Sequence, residues 1–366
     1  MSNSGMNFQQ VSQIRNHLRC LGARPAHEQR ILRLWAQAKP QDSGRRPLES
    51  FMPADLRHEL PQLSQALQNL VRLISSHPAQ DGSVRWLLSL QDGQMVETVG
   101  LPRDGVCVSS QVGCAVGCTF CMTGRDGLIR QVGSAEIVAQ VAFARLHRLV
   151  KKVVFMGMGE PAHNLDNVME AIDVLGTVGN IGHKSLVFST VGDPRVFEQL
   201  PLGLVKPALA LSLHTTRAEL RAELLPRAPK MTPEALVEAA ETYAQQTGYP
   251  IQYQWTLLQG INDTEEEIEG IVNLLKGKFA LMNMIPYNAV DGLPFQRPSW
   301  ERAAEIARTL HRRGILTKLR NSAGQDVEGG CGQLRARHAT DNVVRRKPET
   351  QTSNVHFVKA KPATVL

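Results

Sequence analysis

The chain has 366 residues, 42% of them hydrophobic and 20% charged, enough to bury one large domain with a smaller one beside it. No apolar run is long enough to cross a bilayer, and the opening stretch MSNSGMNFQQ has neither an apolar core nor an Arg-rich amphipathic pattern, so a cytoplasmic protein with mostly reduced thiols is expected. The net charge of +7 permits a polyanionic partner without demonstrating one.

In chain order, residues 1 to about 80 read as helical. HEQRILRLWAQAKP (27–40) is amphipathic and stops at Pro40, and QDSGRRP (41–47) is a polar turn. PQLSQALQNLVRLISSHP (61–78) carries leucines at helical spacing. In 86–101, two strand-like runs flank Asp92-Gly93, a common hairpin turn pair. From about Gly105, apolar strands alternate with helices. The strands are 106–110, 152–157, 185–190, 208–214, 252–258, 281–286 and 315–319. The helices include 134–149, 233–246, 264–275 and 299–313, and Thr264 with Glu267 forms a capping box. Repeated βα units predict an α/β fold with a parallel sheet under outer helices, and about six units predict a partial (β/α)6 barrel. Polar residues follow the strands, which points to a site at the strand C-termini. The expected division is a helical domain over 1–85, the hairpin and barrel over 86–334, and a basic tail over 335–366. That tail reads either as a solvated segment or as a phosphate-binding arm.

Three cysteines fall within Cys114-Ala-Val-Gly-Cys118-Thr-Phe-Cys121. A disulfide is disfavoured in a reducing compartment. Two metal readings stay open. One is zinc with a distant fourth ligand. The other is three thiolates on a four-iron cluster, whose remaining iron can be chelated by the amine and carboxylate of S-adenosylmethionine (SAM). The C-x3-C-x2-C spacing, with Phe120 before the last cysteine, favours the cluster and is that of the radical SAM superfamily.

Gly157-Met158-Gly159-Glu160-Pro161 follows a strand. Alone it is a tight βα turn; some 40 residues after the cysteines it looks like the loop that holds the methionine amine of SAM, through Gly159 and Glu160. Ser189 and the run Ser212-Leu213-His214 end strands, and they either cap the following helices or line the ribose and carboxylate. Cys331, in Gly329-Gly330-Cys331-Gly332, is an accessible thiol that reads either as incidental or as a covalent carrier; Cys107 would then be its resolving thiol. Cys20 reads as structural.

Taken together, VCVSSQVGCAVGCTFCMTG, VVFMGMGEPAHNLDNV, LALSLH, GIND, MIPYN and VEGGCGQL resemble the radical SAM RNA adenine methyltransferases over roughly residues 86–334. That family includes enzymes methylating carbon 2 of an adenosine in large-subunit rRNA and in some tRNAs, and a carbon-8 relative. The resemblance implies a [4Fe–4S] cluster on Cys114, Cys118 and Cys121, and two SAM molecules per turnover. It implies an S-methylated Cys331, a transient Cys107–Cys331 disulfide, Glu97 as proton acceptor and Asn288 as a SAM contact. It implies a monomer acting on RNA, in the first place rRNA, with an external one-electron donor such as flavodoxin and no membrane. Within the same family the alternative is carbon 8 or another RNA; outside it, a zinc-stabilised RNA-binding protein.

Overall fold

The computed structural model describes residues 6–290 and 292–336. The basic tail expected over 335–366 therefore lies outside the described residues beyond Ala336. Helices α1 (Val11–Cys20), α2 (Pro25–Ala36) and α3 (Ala54–Gln68) open the chain. Four strands follow: β1 (Val71–Pro78), β2 (Val84–Leu90), β3 (Met95–Leu101) and β4 (Gly105–Cys107). A short hairpin, β5 (Gln111–Gly113) with β6 (Leu128–Gln131), leads to α4 (Ser134–His147). Alternation then runs through β7 (Lys152–Phe155), α5 (Leu165–Thr177), β8 (Leu186–Thr190), α6 (Pro194–Gln199) and β9 (Ala208–Ser212). It continues with α7 (Ala218–Leu224), α8 (Pro233–Thr247), β10 (Ile251–Leu257), α9 (Glu265–Leu275), β11 (Ala280–Pro286), α10 (Trp300–Arg312) and β12 (Thr317–Leu319).

One sheet holds ten strands in the order β1-β2-β3-β4-β7-β8-β9-β10-β11-β12. Pairing is antiparallel up to β4 and parallel from β4 onward. Edge strands β1 and β12 do not pair with each other, so the barrel is partial, as the count of βα units predicts. Strands buried on both faces need continuous apolar runs, and Ala208–Leu211 and Val153–Phe155 supply them.

The helical reading of 61–78 is wrong in its second half. The chain leaves the helix at Gln68, and 71–78 is β1, paired with β2. Leu63, Leu67 and Leu70 do sit at helical spacing and are buried. Past them, a ready partner strand decides the conformation, and a partner strand is not a local signal. The hairpin β5–β6 was not anticipated either, being too short to show a periodicity.

The N-terminal helices share one continuous apolar core with the barrel, running from Phe8 to Leu334. Polar ties reinforce the contact. The Val11 amide donates to Ser134 Oγ (2.9 Å), the Ala135 amide to the Gln9 carbonyl (2.9 Å), and Arg145 Nη1 to the Ala36 carbonyl (2.6 Å). No helix among the described residues is long and apolar enough to cross a membrane.

Gln140 of α4 is the buried joint between the hairpin and the barrel. Its Oε1 accepts from Thr98 Oγ1 (2.9 Å) and the Ser109 amide (2.8 Å), and its Nε2 donates to the Ser109 carbonyl (2.9 Å). Replacing it with leucine strands all three partners without water. Gln140→Leu should therefore lower stability by about 1–3 kcal/mol, seen as a lower urea midpoint; an unchanged midpoint would show that the joint carries no stability.

Candidate active site

The loop after β5 carries the three clustered cysteines. Gly113 (φ +79°) has no room for a side chain, since a Cβ there would lie 2.0 Å from the Gly127 carbonyl oxygen. The loop is pinned on both sides. The Thr119 amide donates to the Leu224 carbonyl (3.0 Å), Arg227 Nη1 to the Ala115 carbonyl (2.9 Å) and the Met122 amide to the Gly332 carbonyl (2.8 Å). Cys114, Cys118 and Cys121 thereby line one open cleft of about 970 Å³.

The C-terminal ends of β7, β8, β9, β10 and β11 supply the rest of the wall, as expected for a parallel barrel. Gly159, Glu160, Ser189, Ser212 and His214 all reach this cleft, and so does Cys331. Leu213 does not line it; its side chain is buried and its amide donates to the Gln254 carbonyl (3.1 Å). Asn288 stands behind the wall, where Nδ2 donates to Ser322 Oγ (2.8 Å) and to the Cys331 carbonyl (2.9 Å). Cys107 is buried and opens on a second cavity of about 560 Å³, which Cys331 also lines. Cys331 lines both cavities, together with Met156, Gln254, Ile285 and Leu334, and is the one thiol among these shared residues.

Glu97, on hairpin strand β3, is only 1% exposed. Its carboxylate pairs with Arg85 of β2, and its Oε2 accepts the amides of Arg335 (2.6 Å) and Ala336 (3.1 Å).

Burial sets the electrostatics. It pushes the Cys114 thiol up to about 12 and raises the Cys118 thiol as well, with the neighbouring cysteines adding to the effect. Such thiols ionise only beside a strong positive centre. Burial also pushes Glu160 up to about 7, although its oxygens accept the amides of Ala162 (3.1 Å) and Val191 (3.0 Å). His214 is driven down to about 3, by burial first and by Arg221 second, so it stays neutral. Its Nδ1 accepts the Thr256 amide (3.0 Å), which assigns the ring proton to Nε2.

Two residues of the site escaped the sequence reading. Tyr287 lines the cleft with a buried hydroxyl that has no partner among the described residues; its place in IPYN was the available signal. Arg221 is a buried guanidinium on α7 that donates to the Ser212 carbonyl (3.2 Å) and leaves its Nε unpartnered. Burial lowers it to about 10, opposed by Cys118 and Glu160. In sequence it looks like an ordinary helical surface arginine.

These features fit a cluster with SAM. Three thiols meet in one cleft, two of them desolvated, Tyr287 and Arg221 hold unused donors, and the glycine loop offers bare backbone. A Cβ on Gly157 would lie 2.7 Å from Ser109 Oγ, and one on Gly159 (φ +104°) 2.5 Å from Gln111 Cβ.

A partial parallel barrel with three thiols after its first parallel strand and a Gly-Glu cradle after the next defines a radical SAM enzyme. Residues 108–275 match the family model of the radical SAM superfamily. A probable RNA methyltransferase from Leptothrix cholodnii is 71% identical over 91% of this chain and 96% of its own length. One from Pseudomonas aeruginosa is 66% identical over 90% and 96%. The crystal structure of a radical SAM methyltransferase from Sphaerobacter thermophilus aligns with a TM-score of 0.79 at 32% identity, covering 91% of this chain and 100% of that one. The chain belongs to the radical SAM RNA methyltransferase family. Membership implies a [4Fe–4S] cluster, SAM and a reductant, and selects the cluster over the zinc alternative.

Gly159→Ala should leave iron loading intact and weaken SAM binding about tenfold or more, because alanine at that φ carries roughly 1–3 kcal/mol of strain. Equilibrium dialysis of the reconstituted protein checks this, and undiminished SAM affinity would show that the cradle is not needed.

Proposed function

We propose that this enzyme methylates a ring carbon of an adenine in RNA, in the first place carbon 2 of an rRNA adenosine with tRNA as the other candidate substrate, through a methyl group carried on Cys331. The observation that carries this reading is the position of Cys331, shared between the cleft of the three thiols and the cavity of Cys107. A thiol that touched only the first cavity could accept a methyl group but not be released by a second thiol.

Cys114, Cys118 and Cys121 would hold the cluster, and Gly159, Glu160, Ser189, Ser212, His214 and Asn288 would hold or brace SAM. When bound, these cofactors supply a deoxyadenosyl radical and, from a second SAM, a methyl group by displacement. Cys331 accepts that methyl group as its thiolate, loses a hydrogen atom from it, and adds the carbon to the adenine ring. Glu97 takes the proton leaving the ring carbon, and the unpaired electron left on the adduct would pass to the cluster held by Cys114, Cys118 and Cys121. Cys107 then attacks the Cys331 sulfur; the carbon–sulfur bond breaks, the carbon keeps the electron pair and is protonated, and a Cys107–Cys331 disulfide remains. This route suits an amidine carbon too electron-poor to attack a sulfonium directly. Burial holds the Cys107 thiol high, which keeps it unreactive until Cys331 approaches.

The reading also has the enzyme act as a cytoplasmic monomer with a one-electron donor such as flavodoxin. Residues 1–85 and the basic segment past 334 would contact RNA by shape and phosphate, with the adenine unstacked to enter the cleft.

Three substitutions test it. Cys118→Ala should yield colourless protein after anaerobic reconstitution, without the broad iron–sulfur absorbance near ~400 nm. Cys331→Ala should keep the cluster and form no methylated RNA. Cys107→Ala should accumulate RNA attached to protein, visible as a slow band on a denaturing gel. Mass spectrometry of rRNA and tRNA nucleosides with and without the gene identifies the product, and finding no methyladenosine that depends on the gene would overturn the proposal.

A further inference from the structure

The loop that carries Cys331 is rich in glycine, with Gly329, Gly330 and Gly332 around the thiol, yet it is tied down at both ends. Upstream, the turn between β1 and β2 holds it: Asp81 accepts the Gly324 amide (3.1 Å), and Asp326 accepts the Gln80 amide (3.0 Å). Beside the thiol, Asn288 holds the Cys331 carbonyl, and Thr123 Oγ1 donates to the Leu334 carbonyl (2.7 Å). Downstream, the tie is different in kind. Glu97, on β3, is a buried carboxylate, and it grips the consecutive amides of Arg335 and Ala336 while Arg85 neutralises it. Glu97 pairs with Leu87 and Arg85 with Val99 in the β2–β3 ladder, so Arg85 and Glu97 are diagonal neighbours on one face of the sheet and their side chains form an ion pair. Charge-assisted bonds to a buried carboxylate are the strongest of these ties.

We propose that Arg85 is a positioning residue for Cys331, acting through Glu97: the pair clasps the backbone just beyond the cysteine and holds its thiol between the two cavities. The clasp rests only on geometry. Its consequence for turnover rests on the methyl-transfer reading above. When Glu97 takes the proton from the adenine carbon, it loses the charge that holds Arg85 and the two amides. The Cys331 loop is then released toward Cys107 at the stage when the resolving thiol must attack. The side chain of Arg335, whose amide the clasp holds, turns to Asp126 (3.3 Å).

Glu97→Gln imitates the protonated clasp, Arg85→Met removes its counter-charge, and Arg85→Lys restores the charge. The test uses the full-length, anaerobically reconstituted protein without RNA, so it does not depend on turnover. Two quantities are measured: hydrogen exchange of the Arg335 and Ala336 amides, and the rate of Cys107–Cys331 disulfide formation with oxidised glutathione, which is reduced to two thiols in the process. Far-ultraviolet circular dichroism reports general unfolding. Both rates should rise about tenfold in Glu97→Gln and Arg85→Met, as expected for losing a charge-assisted hydrogen bond, and return toward wild type in Arg85→Lys, with the circular dichroism unchanged. A disulfide rate unchanged in both disruptive variants would overturn the proposal. If the variants unfold, rapid exchange of the two amides in the wild-type protein overturns it, and slow exchange supports it. A released clasp in a protein that makes no methyladenosine would instead count against the adenine reading alone.

Discussion

The chemistry of the barrel mouth follows from burying the Cys114 and Cys118 thiols beside Cys121 in one cleft. Cys114 and Cys118 are held well above the ordinary thiol range because the charged form has nothing to solvate it. A positive metal centre reverses that balance, so the loop is a binding site whose affinity is written into its desolvation. The surrounding residues share the condition. Glu160 is buried with its oxygens on backbone amides, His214 is kept neutral, and the Arg221 guanidinium is close enough to interact with Cys118 and Glu160.

The second organising feature is the path of the chain after β12. It crosses back to the antiparallel edge of the sheet and touches β1–β2, β3, the cysteine loop and the segment after β11 on the way. A partial barrel leaves an open seam, and this return loop covers it with Cys331. The hairpin strands β2 and β3 thus serve the site from outside the parallel barrel, which gives Arg85 and Glu97 a reason to be buried where they are. An ion pair taken out of water contributes little net stability on its own; its value here lies in where it holds a backbone.

The relatives fit this division. The match to the radical SAM family model covers the cysteine loop and the strands through α9, whereas the similarity to the methyltransferases runs across nine-tenths of the chain. The helices before β1 and the loop after β12 lie outside the family-model match, and these are the parts that carry or frame Cys331 and extend the outer surface.

Much of this was legible in the residues alone. The cysteine spacing, the glycine loop, the polar strand ends and the alternation of apolar strands with helices are local patterns, and each is dictated by short-range chemistry: ligand number, backbone access and side-chain periodicity. The structure places Cys114, Cys118, Cys121, Gly159, Glu160, Ser189, Ser212, His214 and Cys331 around one cleft. What the residues could not disclose were matters of partnership. Residues 71–78 become a strand because β2 lies alongside. Arg221 becomes part of the site because α7 turns it inward over Ser212. Glu97 becomes a clasp because a segment more than two hundred positions away returns to it. Sequence by itself determined which groups can do chemistry; only tertiary packing decided which of them meet, because burial and long-range hydrogen bonds are properties of neighbours that the chain order does not contain.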